Sequence, residues 1–323
     1  MRGAAVAEAP LEAGLSGADR PILFVFGAAR SGTTILNNLL YRHFSYGMGP
    51  EGTFIAQWAR RLPAYGDLRD DAKLEGLVRD VSRCRMLEIA RHKYRRNPFD
   101  VSPELILSRL RERSYAGVVY AVFECMAALQ GCTRVGNKNP DYGRQFPLLH
   151  QLFPTHAKYL AIVRDGRDVA LSIMKTRWGL SSSYAAAKAW RQALADLCQM
   201  QGQLSPNRLH VVKYEDLLRQ PRETLEAVRS FLAIAPQDAK VEAAAAEIAE
   251  GKKAANFDKW RRQMSANDLR IFEGMAGDWL QDFGYELSGN ARGISWRDYL
   301  RYESREYMRL VQVNVKHRIS RAC

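Results

Sequence analysis

The sequence contains no long apolar segment, few cysteines and no cluster of histidines. No run of about 18 apolar residues occurs, so we predict no membrane-spanning helix. The five cysteines are an odd number without a Cys-x-x-Cys pair, which argues against a disulfide framework or a structural zinc site and favours a reducing, cytoplasmic setting. The six histidines never pair at i, i+4 with a carboxylate nearby, so we predict no metal.

Both ends of the chain differ in composition from its middle. Residues 1–20 are rich in Ala and Gly but contain three acidic residues, so they lack the apolar core of a signal peptide and are predicted to form a flexible lead-in. Residues 291–323 are basic and aromatic, and they predict an appended helical tail. Such a tail would serve as a docking, dimer or membrane-surface element, or as a simple solvated terminal helix.

Acidic residues are too few to balance the basic ones. The chain has 48 Lys and Arg against 35 Asp and Glu, which gives a net charge of +13. This excess predicts an anionic partner such as nucleic acid, an acidic membrane surface or a polyanionic small molecule. The basic residues are dispersed and accompany no DNA- or RNA-binding motif, so we do not predict a nucleic-acid partner.

Short apolar runs alternate with helical periodicity through most of the chain. Strand-length runs occupy residues 21–26, 133–136, 158–163 and 208–214, with a shorter extended piece near 46–49. The stretch from about 53 to 131 is mostly helical in pattern. The alternation predicts an α/β fold, a P-loop-like parallel sheet flanked by helices with a helical insertion after the first βα unit. No linker interrupts it, so we predict one domain over residues 21–290.

The segment FGAARSGTTILNNLL, residues 26–40, predicts a strand–loop–helix that binds an anion. Backbone N–H groups of such a loop and of the helix start point at a negatively charged ligand. Gly27 and Gly32 permit the tight turn. Arg30, Thr33 and Thr34 supply side-chain donors suited to that ligand. Threonine stands where nucleoside triphosphatases carry the lysine that reaches the terminal phosphates, which weakens a prediction of ATP or GTP hydrolysis.

A second charged turn follows another strand-like run. In YLAIVRDGRDVALS, Arg164 comes directly after the apolar residues and Ser172 follows eight positions later. We predict that the two side chains share a ligand. A ligand with phosphate groups at two places needs two such strand ends side by side, so this turn and the first loop predict one ligand together.

Together these residues resemble the sulfotransferases that use 3′-phosphoadenosine 5′-phosphosulfate. In that family RSGTT is the 5′-phosphosulfate loop, and an IVRDxRDxxxS segment holds the 3′-phosphate. The resemblance extends to GNKNP at 136–140 and to residues 211–234 and 259–287, and it is closest to the protein-tyrosine sulfotransferase-like branch and its bacterial relatives. It implies that the following residues bind the donor: Arg30, Ser31, Gly32, Thr33 and Thr34 at the 5′ end, Arg164 and Ser172 at the 3′-phosphate, and Tyr214 at the adenine.

The same resemblance implies the catalytic residues. In this branch an acid lies in a GEET-like turn and a lysine in an NK.P turn; here Glu51 lies in GPEGT and Lys138 in NKNP. It implies that Glu51 is the base and that Lys138 and Arg30 stabilise the transition state of one in-line displacement. The chemistry agrees, since the attacking hydroxyl must lose its proton while negative charge builds on the departing phosphate. Other members use a histidine base, for which His43 and His150 are conceivable substitutes outside the expected motif.

The sequence departs from the branch at two places. Asp258 stands where the tyrosine-sulfating enzymes carry a serine, and Lys175 and Thr176 occupy the region of an expected arginine. The acceptor therefore stays open among a glycan, a lipid or small-molecule alcohol and a peptide tyrosine, with the insertion predicted to form the acceptor wall. Two other interpretations remain: a degenerate P-loop kinase or NTPase, and a non-catalytic basic adaptor for anions.

Overall fold

The computed structural model describes residues 21–88, 100–176, 180–251, 256–289, 294–297, 299–304 and 308. The N-terminal lead-in of residues 1–20 lies outside this range. Residues 89–99 of the predicted insertion and most of the predicted tail also lie outside it. The expectations for those segments therefore stay predictions.

Five strands form one parallel sheet. They are β1 (Ile22–Phe26), β2 (Tyr46–Met48), β3 (Arg134–Lys138), β4 (Ala157–Val163) and β5 (Leu209–Lys213), in the spatial order β2-β3-β1-β4-β5. All four neighbouring pairs are parallel. Every residue of the central strand β1 is buried, as expected for a parallel sheet covered on both faces. The predicted α/β fold is confirmed.

Helices connect and cover the strands. In the described residues they are α1 (Thr33–Phe44), α2 (Phe54–Ala59), α3 (Asp71–Ser82), α4 (Pro103–Arg109), α5 (Tyr115–Leu129), α6 (Phe146–Leu152), α7 (Gly166–Met174), α8 (Ser183–Gln201), α9 (Tyr214–Arg219), α10 (Pro221–Phe231), α11 (Asp238–Glu250), α12 (Trp260–Gln263) and α13 (Ala266–Asp282), with short 3₁₀ turns at Leu62–Ala64 and Pro140–Tyr142. Local sequence explains several starts. The Ser102 hydroxyl accepts a hydrogen bond from the Leu105 N–H and so caps α4, while proline opens α10 at its first position.

The described residues divide into two compact units. The sheet unit contains those within Met1–Val163 and Asp196–Ala255, and the helical unit contains those within Arg164–Ala195 and Asn256–Cys323. The single domain predicted over residues 21–290 stays a prediction. Among the helices in the described part of the chain, none is long and apolar enough to cross a membrane.

An aromatic cluster forms much of the core of the sheet unit. The ring of Phe24 on β1 stacks with Tyr159 of β4 at 5.8 Å between ring centroids and meets Tyr142 edge-on at 5.0 Å. Tyr142 and Tyr159 are both fully buried. These contacts fix the 3₁₀ turn at Pro140–Tyr142, directly after β3, against the middle of the sheet.

A buried arginine organises the helical unit. Arg167 donates two side-chain hydrogen bonds to Asp165 and one to Glu273 of α13, and its guanidinium lies 3.5 Å from the ring centroid of Trp260. A fully buried charge requires such partners. Glu273 also accepts hydrogen bonds from the backbone and the hydroxyl of Ser288, which connects α13 to the residues after it.

Part of the predicted C-terminal tail is helical and packs on α8. Residues 299–304 are helical, and the ring of Tyr302 stacks on Tyr184 at 5.2 Å. Glu303 accepts hydrogen bonds from the Tyr184 hydroxyl and the Lys188 ammonium group. Trp296, Leu300 and Met308 leave large apolar side chains exposed.

Candidate active site

The loop between β1 and α1 has the properties of an anion-binding turn. The hydroxyl of Ser31 is fully buried and has no hydrogen-bond partner among the described residues. Helix α1 starts at Thr33 without a side-chain cap, so its first N–H groups are not satisfied by a capping oxygen. Arg30 is exposed and takes a left-handed φ of +75°, a conformation that costs free energy and is found at ligand-binding turns.

The ring of Tyr214 lies directly against this loop. Gly32 has φ +104°, and a Cβ placed there would overlap the Tyr214 ring, with Cε2 at only 2.8 Å. Tyr214 is buried at the start of α9, immediately after β5. Only glycine therefore fits both the conformation and the space at position 32. The adenine contact implied for Tyr214 stays a prediction.

Glu51 and Lys138 form an ion pair. The Nζ of Lys138 donates a hydrogen bond to Oε1 of Glu51 at 2.6 Å. Lys138 is the last residue of β3, and Glu51 lies in the loop after β2. The side chain of Lys138 is 14% exposed, whereas that of Glu51 is 48% exposed. Solvent, or an incoming hydroxyl group, can therefore reach the carboxylate.

The sheet brings this ion pair to the same edge as the anion-binding loop. Lys138 pairs with Val25 in the parallel ladder, and the Asn139 N–H donates to the Val25 carbonyl at 3.0 Å. The loop starts two residues after Val25. The carboxyl ends of β2, β3 and β1 thus carry the acid, the lysine and the loop in that order, where ligands bind in open α/β sheets.

The two residues predicted to bind the 3′-phosphate lie in the helical unit. Arg164 directly follows β4 in the chain; its side chain is 6% exposed, donates to the Asn256 carbonyl at 2.6 Å and lies 3.5 Å from Asp168. Burial raises the pKa of Asp168. Ser172 is half-buried on α7. The binding role of Arg164 and Ser172 stays a prediction.

Asp258, which replaces the serine of the tyrosine-sulfating branch, has a basic neighbour. Its carboxylate lies 3.8 Å from the guanidinium of Arg261 and is about half exposed. Lys175, which occupies the region of an expected arginine, donates to Gln263 at 3.0 Å. These contacts lie within the helical unit.

The alternative histidine bases have other contacts. His43 hydrogen-bonds Glu247 at 2.9 Å, and the ring of His150 packs against Phe146. Within the described residues, no group of three or more His, Cys, Asp or Glu side chains is arranged to hold a metal ion.

Sequence analysis overlooked Asn137, which precedes Lys138 on β3. Its side chain is fully buried and hydrogen-bonds the backbone on both sides of Glu51. The sequence contained a signal for Asn137, because an asparagine in a buried parallel strand needs polar partners that the neighbouring strand residues do not supply.

Comparisons with known proteins identify the family of this chain. A family model described as "Sulfotransferase family" matches residues 21–238. A protein-tyrosine sulfotransferase from Drosophila melanogaster is 23% identical over 295 residues, covering 84% of this chain and 53% of its own. Nodulation protein NoeE from Sinorhizobium fredii is 23% identical over 330 residues, covering 90% of this chain and 72% of its own. This chain thus spans about half the length of the Drosophila relative.

The fold comparison points the same way. The sulfotransferase domain of the Synechococcus PCC 7002 olefin synthase superposes with a TM-score of 0.52 at 20% identity, covering 83% of this chain and 96% of that domain. At this identity the similarity establishes the fold alone. The family model covers about two thirds of the chain and carries the assignment: this protein belongs to the sulfotransferase family, as its two strand-end motifs predicted.

Proposed function

We propose that this protein transfers a sulfonyl group from 3′-phosphoadenosine 5′-phosphosulfate to the hydroxyl group of an acceptor. The observation that carries the proposal is the Glu51–Lys138 pair, which lies at the same sheet edge as an anion-binding loop. A carboxylate that reaches solvent can accept a proton, and a lysine beside it can stabilise developing negative charge.

The loop suits the 5′-phosphosulfate end of the donor. The buried Ser31 hydroxyl has no partner among the described residues and is available to donate to a phosphosulfate oxygen. The uncapped start of α1 at Thr33 and Thr34 adds backbone and hydroxyl donors, and Arg30 adds a fixed positive charge. When bound, the donor supplies an activated sulfonyl group and leaves as adenosine 3′,5′-bisphosphate.

Each catalytic residue has a defined task in the proposed reaction. The acceptor oxygen forms a bond to sulfur while the bond from sulfur to the phosphate oxygen breaks, and the acceptor proton passes to a carboxylate oxygen of Glu51. Lys138 and Arg30 donate hydrogen bonds where negative charge develops on the leaving phosphate and the sulfonyl oxygens. Lys138 also holds the carboxylate in place before the acceptor arrives.

The remaining donor contacts rest on the motif resemblance. We assign the 3′-phosphate to Arg164 and Ser172 and the adenine to Tyr214. Arg164 carries a permanent charge, and its buried position, in contact with the Asn256 carbonyl, fixes the direction of its guanidinium.

The class of acceptor is a hydroxyl-bearing molecule: a glycan, a lipid or small-molecule alcohol, or a peptide tyrosine. The similarity to a protein-tyrosine sulfotransferase supports the last of these. We also propose a cytoplasmic location from the cysteine pattern, five residues without a Cys-x-x-Cys pair. The docking, dimer or membrane role of residues 291–323 stays a prediction, supported by the exposed Trp296, Leu300 and Met308.

A pair of measurements tests the proposal. Calorimetric titration in EDTA should show tight binding of adenosine 3′,5′-bisphosphate and no binding of ATP; magnesium-dependent ATP turnover would instead establish the kinase interpretation. Incubation with ³⁵S-labelled donor and a fractionated host extract should identify the acceptor.

A substitution then tests the role of Glu51. Glu51→Gln should lower labelling about 10²–10⁴-fold, the worth of a general base, while bisphosphate binding survives. Glu75→Gln, on the exposed face of α3, is the matched control and should label normally. Undiminished labelling by Glu51→Gln refutes the assignment of the base.

A further inference from the structure

We propose that Asn137 is a positioning residue that holds the catalytic carboxylate of Glu51 in place, with Tyr142 donating a supporting hydrogen bond to its amide oxygen. The catalytic meaning of this inference rests on the proposed function, whereas the contacts themselves do not. Asn137 does not touch the reacting atoms in this arrangement; it acts through the loop Pro50–Gly52 that carries Glu51.

The side chain of Asn137 bridges the two peptide groups that flank Glu51. Its Nδ2 donates to the carbonyl of Pro50 at 2.9 Å, and its Oδ1 accepts from the N–H of Gly52, also at 2.9 Å. The residues before and after Glu51 are therefore attached to one fully buried side chain. Because a loop is otherwise the most mobile place for a catalytic group, this bridge restricts where the carboxylate can lie.

The loop backbone determines which end of the Asn137 amide faces which partner, because the Gly52 N–H can only donate and the Pro50 carbonyl can only accept. The Tyr142 hydroxyl donates a second hydrogen bond to Oδ1 at 2.6 Å and thereby supports this orientation. Burial, followed by the nearby Glu51 charge, raises the pKa of Tyr142 well above its usual value. Tyr142 therefore remains a neutral phenol and a hydrogen-bond donor throughout the working pH range.

Glycine is required where the loop meets this pair. A Cβ at Gly52 would overlap the Tyr142 hydroxyl and would lie 3.0 Å from both Asn137 Oδ1 and the Phe123 ring. The loop backbone thus rests directly on the buried polar pair. A larger residue would lift the loop and move the carboxylate of Glu51 with it.

Two neighbouring residues at the end of β3 therefore hold Glu51 in place. Asn137 holds the backbone of the loop, and the next residue, Lys138, holds the carboxylate itself at 2.6 Å. A misplacement of a catalytic group by about 1 Å can lower a rate about 10²-fold. Asn137→Ala is therefore expected to lower kcat by about that factor, with donor binding within about twofold of the parent protein.

Amide hydrogen exchange tests the bridge without any turnover. In the parent protein the Gly52 N–H should be protected by Asn137 Oδ1, and Asn137→Ala should speed its exchange at least tenfold while the strands of the sheet unit stay protected. Tyr142→Phe keeps the hydrogen bond from Gly52 to Asn137 but removes the second donor to Oδ1. It should therefore speed the exchange of the Gly52 N–H by a smaller factor. Asn207→Ala, at an exposed turn, is the control and should change neither.

The outcomes separate this inference from the proposed function. Unchanged Gly52 exchange in Asn137→Ala overturns the bridge. A kcat loss matched by an equal loss of bisphosphate affinity overturns the positioning role, because it marks a merely structural one. If Asn137→Ala does not fold, a Gly52 N–H that exchanges in the parent protein as fast as an unprotected amide overturns the bridge, and unchanged Gly52 exchange in Tyr142→Phe overturns the supporting role of Tyr142. A parent protein that transfers no ³⁵S-labelled sulfonyl group refutes the proposed function, yet accelerated Gly52 exchange would still establish the bridge.

Discussion

Nζ of Lys138 lies 2.6 Å from Oε1 of Glu51, although 87 positions of sequence separate the two residues. The sheet makes this contact, because β2 and β3 pair in parallel with Met48 opposite Gly136. Glu51 and Lys138 come two or three residues after this pair, so both lie at the same edge of the sheet. An acid and a cation are thereby placed next to each other. The chemistry proposed for the site depends on this pair.

Removing the charge of Lys138 should impair turnover more than donor binding. Lys138→Met keeps most of the side-chain volume but leaves no donor for the charge that develops in the transition state. The loss of one such donor lowers kcat about 10²–10³-fold. Labelled-donor kinetics and bisphosphate titration measure the two effects. Lys240→Met on the exposed face of α11 is the control, and an equal loss there would show that net charge, not position, matters.

Adding one methyl group at Gly32 should weaken donor binding. Gly32 has φ +104°, and its Cβ would overlap the ring of Tyr214. Gly32→Ala should therefore weaken adenosine 3′,5′-bisphosphate binding at least tenfold by calorimetry. Gly76→Ala offers a matched control, since a Cβ on that residue of α3 meets nothing within 4 Å. Gly76→Ala should stabilise the protein by about 0.5–1 kcal/mol and bind normally; normal binding by Gly32→Ala would contradict the site.

The buried guanidinium of Arg167 should be essential for stability. Arg167→Met leaves the carboxylates of Asp165 and Glu273 buried without their cation, which lowers the free energy of unfolding by about 3–5 kcal/mol. Urea denaturation followed by tryptophan fluorescence measures the change. The comparison is Arg69→Met, which breaks an exposed pair with Asp67 and should change stability by no more than about 1 kcal/mol. Equal effects of the two substitutions would refute the structural role of Arg167.

His210 should make the fold less stable in mild acid. Burial lowers the pKa of His210 below its ordinary value of 6.5, and its ring stacks on Phe231. As pH falls through 6.5 the unfolded chain binds a proton first, so the free energy of unfolding decreases. His210→Phe keeps an aromatic ring and lacks this component. As pH falls from 7.5 to 5, the urea midpoint of the parent protein should decrease relative to that of His210→Phe; parallel curves would contradict the assignment.

The local features of this protein were accessible from sequence. The strand at residues 22–26, the turn with its glycines and the helix from Thr33 follow each other within 23 positions, and short-range patterning reveals them. The same holds for the Ser102 cap and for the strand that precedes Arg164. The paired motifs were specific enough to predict the family, which the match over residues 21–238 confirmed.

Asn137 shows what local patterning could not reveal. Its position in the site depends on two hydrogen-bond partners that lie 85 and 87 positions away in the sequence, the Gly52 N–H and the Pro50 carbonyl. No periodicity links such residues, because their proximity is set by the register of β2 against β3. Only the resemblance suggested that Glu51 and Lys138 work together, and it said nothing of the residue that holds their loop.

The sequence by itself determined the elements of this protein and its family, because strand length, helix periodicity and turn chemistry are properties of neighbouring residues. The tertiary structure alone decided that Glu51 contacts Lys138, which side chain supports the loop of Glu51, and why glycine occupies positions 32 and 52. The physical reason is that these contacts depend on strand order and register, which bring distant segments to one sheet edge.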